Sequence, residues 1–556
     1  MACPKCHGVG RIPVPFVWGA YNGYTEEYVE FVTCDELADF FAPKKTIVYA
    51  HNGGRFDYHF LKDKINSDDL LMLIAGRISK CKIGEAEFRD SMNIFQQTAL
   101  KQFGGKIDID YAKMEPEVRD EPNNKAEISL YLRQDCVMLW DALERYFKTY
   151  GKSLTQAGNA MRIWSRMSGI KPPSQTREQF KRYKPYYHGG RVECCQIGVR
   201  ECEFVTVDRN SAYPHVMKRK HPFSVDSTRD DRLPADSEIE RALIRVKCKS
   251  DGAFPYRQLN GSLIFPYDDE RREYFITGWE WIAALEFNAI RDIEIVDCHT
   301  FPLSVDFIEY IDFFYNKRLA AKAIDDKAED IFCKLFMNSV YGKLGSNPGG
   351  VRGDDEEDNP ADGYQEYRIA TMESIGRAKL DGFERYKPWG ERELMIRPLP
   401  AIQHRYYNVA TAASITGAQR ADLFRASRLC RGLIYMDTDS ITAEDVSRLP
   451  IGSALGDWKE ELRGRRFGVA GKKNYAMEAA DTTIMKLHGF DSREAKTGHW
   501  KVASKGAKLT PRELMAVASG ETITYRPESP TFSVTRNAPR FINRKISRTQ
   551  IAELTV

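Results

Sequence analysis

The residues best suited to chemistry are two carboxylates in one short polar turn, Asp437-Thr438-Asp439. An apolar run, residues 432–434, precedes the turn and Ile441-Thr442 follows it, so the pattern predicts a β-hairpin with the turn at its tip. Carboxylates this close repel each other unless a cation neutralises them. Hard divalent ions such as Mg²⁺ take oxygen ligands and often share them with substrate phosphates. The hairpin therefore indicates metal-assisted phosphoryl transfer, against the alternative of a plain acidic surface turn.

A second carboxylate stands at the end of another predicted strand. The β-rich run 204–207 leads directly into Asp208, and Pro214 stops a regular continuation of that strand. If the two strands are neighbours, Asp208 and Asp439 converge on one two-metal centre. The alternative is that Asp208 only caps the turn after its strand.

A third segment carries groups suited to a nucleotide. Residues 313–332 show apolar side chains at intervals of three and four, which predicts an amphipathic helix leading into Lys334, Asn338 and Tyr341. These three residues share a helical face, whereas Lys322, a little over three turns earlier, would reach that face only through its long stem. Lysine binds phosphates, and a tyrosine ring can stack on a base. A solvated polar face is the alternative for this helix alone, but the three segments together supply complementary parts of one reaction.

These motifs, in this order, resemble those of family B DNA polymerases. The three polymerase motifs read Asp208-x-x-Ser211-x-Tyr213-Pro214, Lys334-x-x-x-Asn338-Ser339-x-Tyr341-Gly342 and Tyr435-x-Asp437-Thr438-Asp439-Ser440. A finer resemblance, to the protein-primed branch of phages, viruses and linear plasmids, rests on Tyr187-His188-Gly189-Gly190, Thr416-x-x-x-Arg420 and Lys473-x-Tyr475. The resemblance runs from about Pro15 to the C-terminal region. Ala212 departs from it, since the family usually has Leu at this packing position.

The resemblance implies a role for each motif residue. The metal-binding and catalytic set is Asp208, Asp439, the backbone carbonyl of Arg209, and Asp437, which would shape the turn. The nucleotide-binding set is Tyr213, which would exclude ribonucleotides, Lys322 and Lys334 at the triphosphate, and Asn338, Tyr341 and Gly342 around the nascent base pair. The DNA-binding set is Tyr187, Gly189, Gly190, Ser211, Thr416, Arg420, Lys473 and Tyr475. Two Mg²⁺ ions, with Mn²⁺ as an alternative, are the implied cofactors for attack of a primer 3′-hydroxyl on the α-phosphate.

The first third of the chain resembles a 3′–5′ exonuclease module, but an incomplete one. Its matching residues are Asn52, Phe56, Asp57, Ser91, Lys113, Tyr131 and Asp135. The family's first exonuclease motif, Asp-x-Glu on an opening strand, is missing, because the first acidic residue of the sequence is Glu26. With two of the four usual carboxylates absent, we expect weak or no exonuclease activity. Two explanations compete: the reading frame is truncated or misassigned upstream, or the module survives as a scaffold and single-strand guide.

The N-terminus carries half of a zinc motif. Cys3 and Cys6 are spaced as in zinc ribbons and knuckles, with His7 as a third donor, but a closed site needs four ligands. No second Cys-x-x-Cys follows, and Cys194-Cys195 and Cys202 complete the site only if folding brings them near. The sequence therefore favours an unmetallated tail over structural Zn²⁺.

Composition and charge fit a multidomain protein of the cell interior. With 556 residues, 42% of them hydrophobic and 29% charged, the chain is too long for one core. The net charge of +3 is modest, so DNA binding must use local basic patches such as Arg463–Arg466 and Lys472-Lys473. Twelve scattered cysteines predict free thiols in a reducing compartment. No apolar run reaches membrane-spanning length, so we expect no membrane partner and a location in the host cytoplasm.

The expected fold class is α/β and α+β multidomain. A ribonuclease-H-like exonuclease domain is followed by a right-hand polymerase of palm, fingers and thumb with two insertions. The expected boundaries are 1–150 for the exonuclease-like domain, 151–186 for a connector, 187–247 and 405–505 for the palm, 248–312 and 348–404 for the insertions, 313–347 for the fingers and 506–556 for the thumb. By position, the first insertion would contact a terminal protein, and the second would support strand displacement and processivity. The acidic, Gly-rich residues 349–358 predict a mobile loop.

The expected function is template-directed DNA polymerisation that starts on a terminal protein. Its partners would be template and primer DNA, deoxynucleoside triphosphates and that protein primer. Two alternatives stay open: a family B polymerase that uses a nucleic-acid primer, and a catalytically silent DNA-binding replication factor. The intact set Asp208, Asp439, Lys334 and Tyr341 argues against the silent factor.

Overall fold

Two seven-stranded β-sheets organise the described part of the chain. The computed structural model describes residues 14–74, 76–96, 98–103, 108–171, 173, 175–346, 365–398, 406–480, 500–527 and 544–548. Its helices are α1 (Cys34–Phe41), α2 (Asp57–Phe60), α3 (Pro122–Tyr150), α4 (Gln156–Ser168), α5 (Arg177–Tyr183), α6 (Ala212–Met217), α7 (Gly278–Glu286), α8 (Ile308–Ala323), α9 (Lys327–Leu344), α10 (Ile375–Leu380), α11 (Val409–Leu429) and α12 (Pro511–Ala518).

The strands, in chain order, are β1 (Trp18–Asn22), β2 (Glu27–Phe31), β3 (Ile47–Ala50), β4 (Leu70–Ile74), β5 (Arg77–Ile83), β6 (Ala86–Asp90), β7 (Val192–Cys194), β8 (Gly198–Arg209), β9 (His221–Pro222), β10 (Thr228–Asp230), β11 (Ala242–Ser250), β12 (Tyr256–Arg257), β13 (Leu263–Ile264), β14 (Arg272–Thr277), β15 (Ile290–Thr300), β16 (Ser304–Val305), β17 (Gln365–Ala370), β18 (Glu384–Trp389), β19 (Arg392–Pro398), β20 (Arg431–Asp437), β21 (Ser440–Asp445), β22 (Trp458–Gly471), β23 (Asn474–Ala479), β24 (Trp500–Ser504), β25 (Ile523–Tyr525) and β26 (Arg544–Ile546).

The first sheet is built on the N-terminal region. β3 runs parallel to β6, while β5 pairs antiparallel with β6 and with β4. The long helix α3 packs against β1, where the Cys136 thiol donates to the Gly19 carbonyl at 3.6 Å. At Gly23 a Cβ would collide with the Trp140 ring, so glycine is needed for this close approach. The mixed sheet with its covering helix confirms the predicted α/β character of this region.

The second predicted insertion extends this same sheet. β17 pairs antiparallel with β4, with Tyr367 opposite Leu71, and the full strand order is β18-β19-β17-β4-β5-β6-β3. Tyr367, Trp389 and Leu394 are buried in one hydrophobic core with Leu71 and Leu73. The described part of the insertion is therefore integrated into the exonuclease-like module, which the sequence did not predict.

The second sheet is built from residues predicted to form the palm. It is antiparallel, with the order β24-β23-β22-β8-β21-β20-β7. Alternate side chains of β8 face opposite sides, as the period of a strand requires. Val205 and Val207 pack with Leu423 of α11, and Phe204 packs on the other side with Phe467. Because both faces of β8 are buried, the position of its last residues is fixed.

Two predicted domain boundaries fall inside elements. The first insertion is a four-stranded antiparallel sheet with the order β10-β15-β11-β14, and β11 crosses the expected boundary at 247/248. The helix that opens the predicted fingers begins at Ile308, before the expected start at 313. Backbone pairing and helix capping, rather than the motifs, set these limits.

The prediction of one helix through residues 313–332 is wrong. α8 ends at Ala323 and α9 begins at Lys327. Between them the Asp326 carboxylate caps α9 by accepting from the Glu329 amide at 3.2 Å. The Tyr310 hydroxyl near the start of α8 donates to the Phe336 carbonyl of α9 at 3.0 Å, so the two helices form an antiparallel hairpin.

Several sequence features lie outside the described residues. They are the Cys3–Cys6 motif and the acidic segment 349–358. The predicted thumb is described only as α12 and the two-stranded β25–β26 pair. Within the ranges that the structure describes, every cysteine is a free thiol, and no helix is both long and apolar enough to cross a membrane.

Candidate active site

Two strand ends meet at the centre of the palm sheet. β8 ends at Arg209, directly after Asp208, and β21 begins at Ser440, directly after Asp439. These strands pair antiparallel with Asp208 opposite Ser440, and the Arg209 amide donates to the Asp439 carbonyl at 2.8 Å. The predicted hairpin and the predicted adjacency of the two strands are therefore confirmed. The prediction that Pro214 stops the strand is wrong, because β8 already ends at Arg209 and Pro214 lies in the first turn of α6.

The turn that carries Asp439 is held from two sides. Thr438 has a φ of +58°, and its amide donates to the Arg191 carbonyl at 2.7 Å. Its carbonyl accepts from the Gln419 amide group of α11 at 2.9 Å. A Cβ at Gly190 would lie 2.6 Å from Thr438 Oγ1, so the second glycine of Tyr-x-Gly-Gly permits its loop to pack directly on the carboxylate turn.

Burial and mutual repulsion disfavour ionisation of the central carboxylates. Burial, followed by the Asp439 and Glu461 carboxylates, raises the pKa of Asp208 to about 8. Burial, followed by the adjacent Asp437, raises the pKa of Asp439 to about 6. A divalent cation would relieve both effects, because it replaces lost hydration and neutralises the pair.

The donor set fits Mg²⁺. Asp208 and Asp439 supply carboxylate oxygens, backbone carbonyls lie beside them, and Mg²⁺ normally takes one or two carboxylates plus water and substrate phosphates. Within the described ranges, no group of three or more His, Cys, Asp and Glu side chains is arranged to hold an ion.

Glu461 is a further acidic residue that sequence reasoning missed. It lies on β22 at a register shift between Glu460 and Leu462, and its charge raises the pKa of both Asp208 and Asp439. Lys501 of β24 donates to Glu461 at 2.5 Å. The acidic pair in β22 is visible in the sequence, but the bulge that distinguishes Glu461 from its neighbour is not.

Asp437 faces the other side of the turn. Its carboxylate accepts from Lys473 Nζ at 3.0 Å and from the Thr438 hydroxyl at 3.1 Å. The Lys473 amide donates to the Tyr435 hydroxyl at 2.9 Å, and the Tyr435 and Tyr475 rings lie 4.9 Å apart. Asp437 thus connects the carboxylate turn to the Lys-x-Tyr segment, and its role in shaping the turn during catalysis stays a prediction.

Two tyrosines stack beside the carboxylates. The Tyr213 and Tyr341 ring centroids are 4.4 Å apart with an interplanar angle of 18°. Burial, with a smaller contribution from the Asp439 charge, raises the pKa of both hydroxyls, so both rings lie within electrostatic range of that carboxylate. On the same helix, the Asn338 amide donates to the Lys334 carbonyl at 2.9 Å, and a Cβ at Gly342 would meet open space.

A positive cluster lies next to this aromatic pair. Burial and the charges of Arg318, Lys459 and Lys334 lower the pKa of Lys322. Lys334 also acts on the Asp208 carboxyl. The hairpin of α8 and α9, rather than a shared helical face, thus brings Lys322 towards Lys334. Such a cluster suits a triphosphate, because the negative charge of the triphosphate would relieve the repulsion among the cationic side chains.

Arg318 and Lys459 are two cationic residues that the motif search missed. Arg318 pairs with Asp330 at 2.5 Å and approaches the Ser211 hydroxyl at 3.5 Å. Lys459 lies opposite Asp208 on β22. Neither belongs to a recognisable motif, so only the fold associates them with the site.

Thr416 and Arg420 are buried and support the loop of Tyr187, Gly189 and Gly190. Arg420 is 2% exposed, pairs with Glu280 at 2.8 Å, and donates to the carbonyls of His188 and Gly189 at 2.7 and 3.0 Å. It also donates to the Thr416 hydroxyl at 3.3 Å. These contacts give Arg420 a positioning role, and its predicted DNA contact stays a prediction.

The exonuclease-like residues lie at the carboxyl ends of two parallel strands. Asp57 follows β3, and Asp90 ends β6. Asp90 is fully buried and accepts from the Met92 amide at 2.9 Å and the Gly54 amide at 3.3 Å. Burial, followed by the Asp90 carboxylate, raises the pKa of Asp57 to about 6. Asp90 was not among the predicted residues, and its burial gives it a structural role in holding the Gly54 loop.

The remaining exonuclease-like residues make local contacts. Ser91 hydrogen-bonds His51 Nδ1 at 2.9 Å, Lys113 pairs with Glu127 at 2.5 Å, and the Tyr131 hydroxyl lies 3.4 Å from that of Tyr111. Asn52 has a φ of +63° and Phe56 is 44% exposed. Asp135 lies one turn after Tyr131 on α3, and burial, followed by the Tyr111 hydrogen bond and the Asp135 charge, raises the pKa of Tyr131.

Comparison with known proteins places this chain in one family. The family model of type B DNA polymerases, organellar and viral, matches residues 106–421. The DNA-directed DNA polymerase of Enterobacteria phage PRD1 is 35% identical over 525 residues, covering 91% of this chain and 84% of that protein. The DNA polymerase of Bacillus phage phi29 is 24% identical over 279 residues, covering 46% of this chain and 45% of that protein.

A solved structure shares the fold. Phi29 DNA polymerase complexed with primer-template DNA and incoming nucleotides matches with a TM-score of 0.71 at 17% identity, over 96% of each chain. The right-hand polymerase architecture expected from the sequence is thereby confirmed. The chain belongs to the organellar and viral type B DNA polymerases, and it is a DNA-directed DNA polymerase.

The pKa shifts predict that the carboxylate pair lowers the folding stability by an amount that depends on pH. Asp208 binds its proton more tightly in the folded chain than in the unfolded chain, so folding stability falls as pH rises from about 4 towards 8. We expect metal-free Asp208→Asn to melt higher than the parent at pH 8 and the difference to shrink towards pH 5. Thermal melting with a chelator at a series of pH values measures this. A variant that melts lower than the parent at pH 8 would contradict the assignment.

Because Arg420 is buried and paired with Glu280, we expect its substitution to affect DNA binding through the structure of the protein and not through a lost contact with phosphate. Arg420→Ala leaves Glu280 charged, buried and unpaired, which costs about 3–5 kcal/mol. We expect Arg420→Ala to melt at a lower temperature than the parent. The double variant Glu280→Gln, Arg420→Met should lose less in melting temperature, because it leaves no unpaired buried charge. For duplex DNA binding, the slope of log K against log salt should be the same in the folded double variant as in the parent. A reduced slope would indicate instead that Arg420 contacts phosphate directly.

Proposed function

We propose that this polymerase extends a primer 3′-hydroxyl by two-metal catalysis at Asp208 and Asp439. One observation carries the proposal: the ends of adjacent strands bring two partly buried, mutually repelling carboxylates close to a stacked tyrosine pair and a lysine cluster. Those are the groups that a reaction between a hydroxyl and a nucleoside triphosphate needs. The identity to the PRD1 polymerase supports the same reading.

In this mechanism the protein binds and orients the reactants. Lys322 and Lys334 bind the triphosphate, and Tyr213 lies against the sugar, where it leaves no room for a 2′-hydroxyl. Asn338, Tyr341 and Gly342 border the new base pair. Mg²⁺ held by Asp208, Asp439 and the Arg209 carbonyl would neutralise the charge on the attacking and leaving oxygens.

Other predicted residues position DNA. Lys473 and Tyr475 hold the primer terminus through the contacts that also fix Asp437. The primer hydroxyl then attacks the α-phosphate in line, and pyrophosphate leaves. Tyr187 adjoins the last turn of the fingers hairpin, because a Cβ at Gly345 would lie 2.6 Å from its ring. Tyr187 therefore belongs to the DNA-binding loop and also contacts the end of the helix that borders the nucleotide pocket.

We further propose that the exonuclease-like module has weak or no nuclease activity. Asp57 and Asp135 supply only two of the carboxylates that the family uses there, and Asp57 is buried beside Asp90 with a raised pKa. Asp90 is committed to backbone amides, so it does not replace a missing metal ligand.

Initiation on a terminal protein is the proposed priming mode. The support is the resemblance of the Tyr-x-Gly-Gly, Thr-x-x-x-Arg and Lys-x-Tyr segments to the protein-primed branch, together with the identity to the PRD1 polymerase. A Ser, Thr or Tyr hydroxyl of that protein would take the place of the primer 3′-hydroxyl. The first insertion, with its separate four-stranded sheet, offers a surface for it.

Primer extension tests the polymerase site. Asp439→Ala should reduce extension by at least about a thousandfold, equivalent to about 4 kcal/mol of barrier. Asp445→Asn, at the far end of the same strand, is the matched control and should retain parent activity. In a parallel lane without nucleotides, the primer should keep its length. Equal extension by parent and Asp439→Ala would refute the site, and a shortened primer would refute the loss of nuclease activity.

Priming mode is tested without any oligonucleotide. The reaction contains the purified enzyme, Mg²⁺, a labelled deoxynucleotide, the source genome's DNA and protein from cells in which that genome replicates. We expect the label to become covalently attached to one of those proteins. The label should be absent with Asp439→Ala. Incorporation that appears only after an oligonucleotide is added would favour the nucleic-acid-primed alternative.

A further inference from the structure

A group of charged side chains and one tyrosine joins the α8–α9 hairpin to α3, the long helix of the exonuclease-like module. Arg145 and Tyr150 lie in the last turns of α3, and Lys317 belongs to α8. Asp326 caps α9, and Glu329 lies in its first turn. We call Arg145, Tyr150, Lys317, Asp326 and Glu329 the hairpin anchor. Its two cations and two carboxylates balance each other, and only the fold brings them together.

The Tyr150 hydroxyl lies at the centre of the hairpin anchor. It donates to the Glu329 carboxylate and accepts from Lys317 Nζ at 2.8 Å, and Lys317 also pairs with Glu329 at 2.8 Å. Arg145 pairs with Asp326 and lies 3.5 Å from the other Glu329 oxygen. Burial, followed by the hydrogen bond to Glu329, raises the pKa of Tyr150, so the hydroxyl keeps its proton and can donate.

Aromatic packing surrounds this hydroxyl. The Tyr150 ring centroid lies 4.4 Å from that of Phe336 on α9 and 6.1 Å from that of Phe314 on α8. Burial of apolar surface has no preferred direction, whereas hydrogen bonds to charged groups depend strongly on geometry. The rings therefore hold the three helices together, and the hairpin anchor fixes the rotation of α9 about its own axis.

α9 presents different faces to the hairpin anchor and to the nucleotide site. Glu329, Cys333 and Phe336 are buried, and the first two contact the Tyr150 hydroxyl. Lys334 is exposed and its charge acts on the Asp208 carboxyl. It lies about 7.5 Å further along the helix axis than Glu329 and about 140° around it. A rotation of α9 that broke the Glu329 contacts would therefore also turn Lys334 away.

We propose that Tyr150 and Glu329 are positioning residues for nucleotide binding, which hold α9 so that Lys334 faces the triphosphate. This inference rests on the proposed function, in which Lys334 binds that group. It gives the exonuclease-like module a part in polymerisation that requires no nuclease carboxylates, because α3 supplies Arg145 and Tyr150 to the hairpin anchor.

Single-nucleotide primer extension by Tyr150→Phe tests the proposal. The substitution keeps the ring and removes the hydroxyl that Glu329 and Lys317 share. We expect KM for the incoming nucleotide to rise about tenfold while kcat stays within about twofold of the parent, because Lys334 binds the triphosphate in the ground state and in the transition state alike. A parent KM in Tyr150→Phe would overturn the proposal.

Tyr146→Phe is the matched control. Tyr146 lies one turn earlier on α3 and is also buried, but its hydroxyl donates to Gln156 and accepts from Asn159, both on α4. Its loss should lower the melting temperature and leave KM at the parent value. An equal rise of KM in the two phenylalanine variants would show a general loss of stability and would also overturn the proposal.

Variants of α9 test whether the effect passes through Lys334. Lys334→Met should raise KM by itself, and adding Tyr150→Phe should raise it further by less than about twofold, because the position of a deleted group no longer matters. Full additivity would contradict the positioning role. Glu329→Ala should raise KM, and Glu329→Gln, which keeps an acceptor for the Tyr150 hydroxyl, should restore part of the loss. A parent KM in Glu329→Ala would count against the proposal.

Failure of the proposal and failure of the proposed function give different results. If Lys334→Met raises KM and Tyr150→Phe does not, only the positioning proposal is wrong. If Lys334→Met keeps the parent KM, the triphosphate role of Lys334 in the proposed function is wrong, and the positioning proposal fails with it.

Discussion

The repulsion between Asp208 and Asp439 is the constraint on which the rest of the polymerase site depends. Antiparallel pairing of β8 and β21 puts their carboxyl groups together, and burial removes the water that would otherwise screen them. Holding these two groups together lowers the folding stability, and the fold does so through contacts on both sides of the turn. Gly190 packs on Thr438, the Gln419 side-chain amide donates to the Thr438 carbonyl, and Lys473 neutralises Asp437. Lys501 and Lys334 offset part of the charge on Asp208, and the proposed Mg²⁺ would offset the rest.

The same logic explains the position of the supporting motifs. Arg420 is buried against Glu280 and fixes the loop that ends in Gly190. Arg209 pairs with Asp422 of α11 at 2.6 Å, so the helix beneath the sheet also holds the end of β8. These ion pairs are shielded from water, and each supports a segment that contacts the turn carrying Asp439. The Thr-x-x-x-Arg and Tyr-x-Gly-Gly motifs, far apart in the chain, act on one loop.

Much of the site could be predicted because its motifs are local. The strand ending at Asp208, the hairpin at Asp437–Asp439 and the helix carrying Lys334 and Tyr341 depend on short patterns of apolar and polar residues, and the structure has all three. The break between α8 and α9 was missed, although Asp326 is a recognisable helix cap. Periodicity alone does not show that a pattern restarts on a second helix.

Features that depend on distant pairing could not be predicted. The union of β17 with β4 joins the second insertion to the exonuclease-like sheet, and nothing in either strand's own sequence specifies the other as its partner. Glu461 is brought to the carboxylates by a bulge in β22, and Arg392 reaches across the same union. In each case the local sequence is compatible with several partners, and the whole fold selects one.

The most direct test of the central claim is the number of Mn²⁺ ions bound at the polymerase site, measured by electron paramagnetic resonance. The complex would contain the enzyme, a primer–template with a dideoxy terminus and the next complementary nucleotide. The account predicts two ions per chain in the parent beyond those bound by DNA and nucleotide alone, and loss of both in the double variant Asp208→Asn, Asp439→Asn. Equal Mn²⁺ binding by the parent and this variant would contradict it.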